Sequence, residues 1–347
     1  MSNINFGIIG AGGISRLHAM AIGTLDNVTL RGFCDRFQEA AKAKADEFNC
    51  RAYESVEAML ADPEIDAVIV ATPSGMHLES AIAAAEAGKH VLCEKPLEIN
   101  TERIDKIIAA CDRNNVKLGC IFQMRVSPSV SEVKKVMQSG RFGRMLLSSA
   151  VMRWYRDNSY YDSSNWRGTL KFDGGGALIN QAVHVMDALL YINGDVETVS
   201  AYSGTFTHNI EVEDNLCAIL KYSNGSFGTV EVSTCCAPGF PRRMEFSGEN
   251  GTVTIEEDRI SRWEFVDQTD EDNAVLERYA GKSSENGGRS PLDISFTGHA
   301  VQIADFAEAI RNDRAPMVDG REARRAIELI CAIYEAAATG KTVSVKR

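Results

Sequence analysis

Hydrophobic and polar positions in the first third of the chain alternate between short apolar runs and longer helical stretches. The run Ala67–Ala71 is continuously apolar, as in a strand that is buried on both faces. Strands separated by helical stretches of about 10 to 15 residues predict a doubly wound parallel sheet. The predicted strands are Asn5–Ile9, Val28–Asp35, Ala67–Ala71, His90–Cys93 and Val116–Phe122, and the predicted helices are Ile14–Leu25, Glu39–Phe48, His77–Ala87 and Glu102–Asn114, the last capped by Thr101.

The pattern changes near Gln123. Helices at Ser129–Gln138 and Ala177–Ile192 flank a long alternating strand, Met145–Arg156, and consecutive strands follow without helices between them. Asn224-Gly225 and Asn250-Gly251 predict hairpin turns, because both residue types tolerate a positive φ. This half is therefore predicted to be an α+β domain with a large, mostly antiparallel open sheet, whose strands are Thr198–Phe206, Asn215–Tyr222, Ser226–Cys235, Arg243–Ser247, Gly251–Glu256 and Arg262–Val266.

The end of the chain is less regular. Residues 267–295 are charged and receive no element, and two amphipathic helices, Ala300–Arg311 and Arg321–Thr339, precede a short strand at Thr342–Val345. A length of 347 residues exceeds the usual size of one compact core. We therefore expect two domains, a Rossmann domain at residues 1–123 and an α+β domain at residues 124–347.

A dinucleotide fingerprint lies between the first strand and the first helix. Glycines there let the chain turn tightly and let a pyrophosphate approach the helix N-terminus. Asp35 ends the second strand, where a carboxylate accepts a ribose hydroxyl and repels a 2′-phosphate, which favours NAD, whereas Arg36 leaves NADP open. The expected cofactor contacts are Gly10, Gly12, Gly13, Ile14, Asp35, Arg36, Thr72, Pro73, His77, Glu94 and Lys95.

Two separate segments carry the candidate chemistry. Lys95 lies between Glu94 and Pro96 at the end of a predicted strand, which places an ammonium at the carboxyl edge of the sheet. On the predicted helix Ala177–Ile192, Asn180 and His184 are spaced to share one face with Asp187, which would orient the imidazole. Lys95 and His184 are therefore the predicted catalytic residues, and the sequence shows no coherent set of metal ligands.

The net charge of −11 argues against nucleic acid and anionic membranes as partners. The nine cysteines form no CxxC pair, so we expect reduced thiols in a cytoplasmic protein.

These motifs together resemble the Gfo/Idh/MocA oxidoreductase family, which includes glucose–fructose oxidoreductase and inositol dehydrogenase. The resemblance runs essentially end to end, through the segments at 10–15, 71–77, 94–96, 174–187 and 299–334. It implies a nicotinamide cofactor and oxidation of a secondary alcohol on a sugar or cyclitol. It also implies that the second domain binds the substrate and that its open sheet forms a dimer or tetramer.

By the same resemblance Lys95 and His184 match the family's catalytic pair, whereas the family's frequent aspartate four residues before the histidine is Asn180 here. The Asn-Gln variant resembles a subgroup that acts on pyranosides, sugar nucleotides or anhydro-sugars. Aromatic faces suit sugar C–H surfaces, and the expected substrate contacts are Asn180, Arg125, Arg153, Tyr155, Tyr161, Trp166 and Arg167.

The leading hypothesis is hydride transfer from a ring C–OH to NAD, with His184 taking the hydroxyl proton and Lys95 stabilising the oxygen. Two alternatives stay open. One is an NAD-dependent glycosidase that oxidises C3 transiently so that the aglycone can be eliminated. The other is a non-enzymatic sensor that keeps the nucleotide site.

Overall fold

A computed structural model describes residues 3–279 and 295–346 of the chain. The chain divides into two compact units. The first comprises Met1–Gln123 and Ser295–Ile327, and the second comprises Met124–Ile294 and Glu328–Arg347.

The first unit contains a six-stranded sheet in which every described strand pair is parallel. Its strands are β1 (Ile4–Ile9), β2 (Val28–Cys34), β3 (Arg51–Tyr53), β4 (Ala67–Val70), β5 (His90–Cys93) and β6 (Leu118–Cys120). Its first five helices are α1 (Gly13–Ile22), α2 (Gln38–Phe48), α3 (Val56–Leu60), α4 (His77–Glu86) and α5 (Thr101–Arg113). The order β3-β2-β1-β4-β5-β6 is that of a Rossmann sheet, which confirms the predicted fold class, and the order reverses between β1 and β4.

Burial and helix capping explain where β4 and α5 lie. All four residues of β4 are buried, as expected for a strand covered on both faces. The predicted N-cap of α5 was wrong by one residue: Thr101 is the first helical residue, and Asn100 caps the helix by accepting a hydrogen bond from the N–H of Arg103 at 3.0 Å. The sequence pattern also missed β3 and α3, which are too short to show a period.

The second unit contains an eight-stranded sheet in the order β13-β12-β11-β7-β10-β9-β8-β14. Its strands are β7 (Met145–Arg153), β8 (Val196–Gly204), β9 (Asn215–Tyr222), β10 (Phe227–Ser233), β11 (Arg243–Gly248), β12 (Gly251–Glu256), β13 (Arg259–Phe265) and β14 (Val343–Ser344). Only the pair β7–β10 is parallel among the described strand pairs of this sheet, so the prediction of a mostly antiparallel sheet is confirmed. Both predicted Asn-Gly turns join antiparallel neighbours.

Four helices accompany this sheet: α6 (Pro128–Gln138), α7 (Asn158–Asp162), α8 (Val183–Asn193) and α9 (Asp270–Tyr279). Neither α7 nor α9 was predicted. α9 falls in the stretch 267–295, which received no element from the sequence, and positions 280–294 of that stretch lie outside the described residues.

The last two helices are α10 (Thr297–Arg311) and α11 (Gly320–Thr339). The sequence assigned residues 295–327 to the second domain, whereas the structure groups them with the first unit. The reason is apolar packing: Phe306 of α10 lies 6.3 Å from Phe6 of β1 between ring centroids, and Ile303 and Ala307 belong to the same buried cluster. Among the helices in the described part of the chain, none is both long and apolar enough to span a bilayer.

Candidate active site

The glycine turn between β1 and α1 has the geometry of a dinucleotide site. Gly10 has a φ of +104°, and a Cβ there would come within 2.5 Å of the carbonyl oxygen of Ala71, so only glycine fits. At Gly12 and Gly13 a Cβ would meet nothing within 4 Å, so the space in front of the α1 N-terminus is open. The backbone N–H groups at a helix N-terminus attract phosphate, so this turn fits the pyrophosphate of NAD.

Asp35 reinforces the turn in a way that the sequence did not predict. Its Oδ2 accepts the N–H of Ala11 at 2.7 Å, and its Oδ1 accepts the N–H of Phe37 at 2.8 Å. Arg36 is exposed, and its guanidinium carbon lies 4.5 Å from the centre of the Phe37 ring. Ser15, the departure from the usual third glycine, is buried and donates to the carbonyl oxygen of Gly12 at 2.6 Å. Ile14 is half-buried at the start of α1.

The turns after β4 and β5 are joined by His77. This histidine is 1% exposed, and its Nε2 lies 2.9 Å from the carbonyl oxygen of Thr72, which precedes Pro73. Its Nδ1 lies 2.9 Å from the carbonyl oxygen of Pro96. The structure therefore places His77 in a supporting position, and the predicted cofactor contact has no support from its geometry.

Lys95 follows β5 at the carboxyl edge of the first sheet, on the same edge as the glycine turn and the Thr72 turn. The Lys95 N–H donates to Oε2 of Glu94 at 3.0 Å, and the Lys95–Pro96 peptide bond is cis. Ligands of open α/β sheets bind at the carboxyl ends of the strands near the point where the order reverses. The first unit thus brings together the cofactor turn and the predicted catalytic lysine.

The predicted helix Ala177–Ile192 is wrong in its first turn. Residues Ala177–Gln181 form a π turn, and α8 begins only at Val183. A π turn contains i to i+5 hydrogen bonds, such as Ala182 N–H to the carbonyl oxygen of Ala177 at 3.1 Å. It is wider than an α turn, so the predicted common face of Asn180 and His184 is not formed by one continuous helix. His184 lies in the first turn of α8 and is 8% exposed.

Asp187 and Arg125 form a buried bidentate ion pair. Arg125 Nε donates to Oδ2 at 2.8 Å and Nη2 donates to Oδ1 at 2.6 Å, with the arginine 5% and the aspartate 1% exposed. The sequence predicted Arg125 as a substrate contact and Asp187 as the partner of His184. The ion pair links the 3-10 turn Gln123–Val126 to α8, and the two predicted roles stay predictions.

The predicted aromatic contacts divide by exposure. Tyr161 is 9% exposed, and its hydroxyl lies 3.0 Å from Oγ1 of Thr234, so it serves the core. Tyr155 is 40% exposed, and Trp166 and Arg167 are half-buried. Arg153 is exposed and pairs with Glu231 on β10.

Two arginines and two aromatic residues of the second unit form a mostly buried cluster, which the sequence did not show as a single group. We call Trp154, Arg156, Tyr160 and Arg167 the Arg156 surface. The guanidinium carbon of Arg156 lies 4.9 Å from the centre of the Trp154 ring, and that of Arg167 lies 4.4 Å from the centre of the Tyr160 ring. Burial lowers the pKa of Arg156, which is 4% exposed.

Hydrogen bonds connect the Arg156 surface to the π turn. Arg156 Nη2 donates to Oε1 of Gln181 at 3.2 Å, and Gln181 Nε2 donates to the hydroxyl of Tyr160 at 2.8 Å and also to Oδ1 of Asn180. Asn180 in turn donates to Asp173. The sequence contained Arg156 and Gln181 within recognisable motifs, but it gave no sign that they meet.

Glu213 supports the same π turn from the β9 side. Its carboxylate accepts the N–H groups of Gly176 at 2.8 Å and Leu178 at 2.9 Å, and the hydroxyl of Tyr334 at 2.9 Å. Burial raises the pKa of Glu213 against these hydrogen bonds, which lower it. The sequence did not identify this residue.

The parallel Rossmann sheet, its open glycine turn and Lys95 define a nicotinamide-dependent oxidoreductase. Two family models match the chain: the oxidoreductase family with an NAD-binding Rossmann fold at residues 4–122, and the GFO/IDH/MocA C-terminal domain at residues 130–254. The chain belongs to the GFO/IDH/MocA family of oxidoreductases, as its motifs indicated.

Relatives and solved structures agree with this assignment. The chain is 27% identical to levoglucosan dehydrogenase of Pseudarthrobacter phenanthrenivorans over 89% of this chain and 90% of the relative. It is 25% identical to inositol 2-dehydrogenase of Rhizobium meliloti over 99% of both chains. A crystal structure of the WlbA dehydrogenase from Bordetella pertussis in complex with NADH and UDP-GlcNAcA is 33% identical, with a TM-score of 0.92, over 100% of this chain and 99% of that one.

The predicted function is confirmed at this level. The protein is an oxidoreductase with an NAD-binding Rossmann domain, and the relatives that it resembles include dehydrogenases named for levoglucosan and inositol.

Proposed function

We propose that the substrate is an acidic, nucleotide-linked sugar of the UDP-GlcNAcA type, and that Lys95 and His184 catalyse oxidation of one of its ring hydroxyls. The observation that carries this substrate class is the Arg156 surface. Arg156 is buried against Trp154, and the guanidinium carbons of Arg156 and Arg167 lie 5.6 Å and 4.4 Å from the centre of the Tyr160 ring.

An anion suits this surface for electrostatic reasons. Burying a guanidinium is costly, and a carboxylate brought beside it offsets part of that cost and forms charge-assisted hydrogen bonds. The neighbouring aromatic rings suit the C–H face of a pyranose. Similarity to a dehydrogenase crystallised with NADH and UDP-GlcNAcA supports the same class.

The chemistry assigned to the chain uses two of its side chains. His184 accepts the proton of the ring hydroxyl as general base. The Lys95 ammonium donates a hydrogen bond to the same oxygen and stabilises the negative charge that develops there. NAD, when bound, supplies the hydride acceptor. Asn180 forms a hydrogen bond with a substrate hydroxyl. Its amide neither accepts nor releases a proton near neutral pH, so the acid–base step rests on His184.

We further propose that residues 1–123 hold the cofactor through Gly10, Gly12, Gly13 and Asp35, and that the second domain binds the substrate. The Asp35 carboxylate at the end of β2 favours NAD over NADP, because a 2′-phosphate would be repelled.

The test is NADH formation from NAD with a matched pair of sugar nucleotides. UDP-GlcNAcA and UDP-GlcNAc carry the same charged diphosphate and differ at the sugar carboxylate, and levoglucosan and myo-inositol serve as simple alternatives. We expect turnover with the uronic acid nucleotide, and loss of most of that turnover in Lys95→Met and His184→Ala. Equal rates with the two sugar nucleotides would overturn the substrate class.

A variant pair isolates the Arg156 surface. Arg156→Met should raise KM for the acid by about 10-fold or more, because it removes a charge-assisted contact. Arg153→Met is the control, since Arg153 is exposed and pairs with Glu231. Release of an aglycone from a glycoside without accumulation of NADH would favour the glycosidase alternative instead.

We also propose a homo-oligomer built on the second sheet. Three apolar side chains lie on one exposed face of this sheet. Phe227 of β10 is paired with Leu147 of β7, and Ile219 lies on the neighbouring strand β9. Phe227, Leu147 and Ile219 are 55%, 57% and 62% exposed. A second copy would cover them. Sedimentation should show Ile219→Arg shifting the protein to monomer, whereas Met317→Arg in the first unit should not; a parent protein that is already monomeric would refute the proposal.

The nine cysteines support a cytoplasmic location, which we propose as well. None of the nine forms a disulfide, including Cys93 and Cys120, which are paired neighbours on β5 and β6.

A further inference from the structure

A buried polar cluster in the first unit includes Glu94, the residue that precedes Lys95. It consists of His18 on α1, Glu94 at the end of β5 and His299 on α10, which are 0%, 5% and 0% exposed. Oε1 of Glu94 lies 2.6 Å from Nε2 of His18 and 3.7 Å from Nε2 of His299. The two imidazole rings meet edge to face, with their centroids 5.0 Å apart.

The other carboxylate oxygen of Glu94 faces the catalytic turn. Oε2 accepts the Lys95 N–H at 3.0 Å. A single side chain thus joins the backbone of Lys95 to α1, the helix whose N-terminus forms the cofactor turn, and to α10. The sequence predicted Glu94 as a cofactor contact, whereas the structure turns both of its oxygens toward the protein.

The same three residues are potential metal ligands, since their donor atoms all lie within 4.8 Å of one another. The distances argue against a metal. Two ligands of a tetrahedral zinc ion with bonds of about 2.0–2.1 Å stand about 3.3 Å apart. The 2.6 Å between His18 and Glu94 is instead that of a charge-assisted hydrogen bond.

Protonation states agree with a hydrogen-bonded cluster. Burial alone would raise the pKa of Glu94, but the imidazoles of His18 and His299 hold it well below its usual range. Burial lowers the pKa of His18, although Glu94 opposes this. Near neutral pH an anionic Glu94 therefore accepts the Nε2–H of an uncharged His18 and the N–H of Lys95.

We propose that Glu94 is a positioning residue, which fixes the Lys95 turn to α1 through its hydrogen bond with His18, while His299 of α10 packs against that pair. This inference rests on the proposed catalytic role of Lys95. Every backbone shift of the turn moves the lysine ammonium, and a displacement of about 1 Å at a reacting group can cost 100-fold in rate.

The test compares Glu94→Ala with Glu94→Gln. Alanine removes both acceptors, and we expect kcat to fall about 100-fold while KM and the Kd for NAD change by less than about threefold. Glutamine keeps an oxygen that accepts the Lys95 N–H. The kcat of Glu94→Gln should therefore be at least about 10-fold higher than that of Glu94→Ala. His18→Ala, a second route to the same cluster, should lower kcat about 10-fold with the same pattern.

A matched control lies four residues away. Glu98 is fully buried and pairs with Arg103 at 2.9 Å. Glu98→Ala should lose stability but keep kcat within about threefold of the parent. A similar fall in kcat for both alanine variants would overturn the positioning role, and so would a Glu94→Ala variant that changes only the Kd for NAD.

A readout that does not depend on turnover separates this inference from the proposed function. Mass spectrometry would follow the rate at which Lys95 is reductively methylated, relative to exposed Lys42 on α2. We expect the ratio to change in Glu94→Ala and to return toward the parent value in Glu94→Gln, whether or not Lys95→Met is inactive. An unchanged ratio, or stoichiometric zinc that is lost in His18→Ala, would overturn the inference.

Discussion

Tyr334 is a single residue whose hydroxyl stabilises the π turn of the second unit. It is half-buried, and its hydroxyl donates to Glu213 and accepts the N–H of Ile179 at 3.3 Å. Removing this hydroxyl leaves the buried Glu213 with one donor fewer. Tyr334→Phe should therefore cost about 1–2 kcal/mol of unfolding free energy in a urea titration. It should also lower kcat, because the π turn leads directly into the helix that carries His184.

Tyr222 provides the control for that prediction. It is fully buried, and its hydroxyl accepts a hydrogen bond from Ser148 at 3.1 Å within the sheet. Tyr222→Phe should cost a similar free energy of unfolding and leave kcat unchanged. Equal losses of kcat in the two variants would show that Tyr334 acts through general stability alone.

Asp35 holds the cofactor turn through two backbone N–H groups, and we propose that it also sets the preference for NAD over NADP. Asp35→Ser removes the carboxylate that accepts the Ala11 and Phe37 N–H groups. The Kd for NAD should rise about 10-fold or more, and the preference for NAD over NADP should shrink, because hydrogen bonds to a charged group contribute about 1.5–3 kcal/mol. Titration with both cofactors measures this, with exposed Asp26→Ser as the control. Unchanged affinities for both cofactors would contradict the role.

At this scale the sequence indicates candidate residues better than it indicates their partners. The strand end and the turn chemistry that single out Lys95 and the glycines are local features. The ion pair of Asp187 could not be predicted, because Arg125 lies 62 residues earlier and nothing in helical spacing reveals it. The His18–Glu94–His299 cluster was missed for the same reason: its members come from α1, β5 and α10.

Among the elements, α5 offers a direct test of capping. Asn100 accepts the Arg103 N–H, and Thr101 begins the helix. Asn100→Ala should lower the unfolding free energy by about 1 kcal/mol, because one terminal N–H loses its acceptor. Thr101→Ala should change it far less. The midpoint of urea unfolding at constant slope measures both, and a larger loss from Thr101→Ala would restore the capping role first predicted for Thr101.

The hydrophobic periodicity of the sequence predicted whether a segment is a helix or a strand, but it did not predict local departures such as the π turn. Asn215–Tyr222 and Gly251–Glu256 match the predicted strands at both ends, because alternation and Asn-Gly turns fix them. The π turn at Ala177–Gln181 could not be predicted, because an apolar run is compatible with both an α turn and a π turn. Its position depends on Glu213, which lies just before the distant strand β9 and accepts the N–H groups of Gly176 and Leu178.

At the scale of the whole molecule, the assignment of residues 295–327 required tertiary contacts. α10 is amphipathic in sequence, and that pattern does not say which core receives its apolar face. The structure buries Phe306 and Ile303 with Phe6 and Ile8 of the parallel sheet. The first unit is therefore built from two distant pieces of the chain, and His299 reaches Glu94 only because of that return.

Acid should destabilise both units, because each contains a buried carboxylate with a lowered pKa. Hydrogen bonds from Arg141 lower the pKa of Asp272, and the imidazoles lower that of Glu94. A lowered folded pKa gives stability that is complete above the ordinary value of about 4 and is lost as pH falls through the folded value. The urea midpoint should therefore stay level above about pH 5 and fall from there toward about pH 2, and Asp272→Asn should flatten that drop. Glu197→Gln, at an exposed ion pair with Lys221, is the control. A midpoint that stays constant across this range would show that these carboxylates contribute no pH-linked stability.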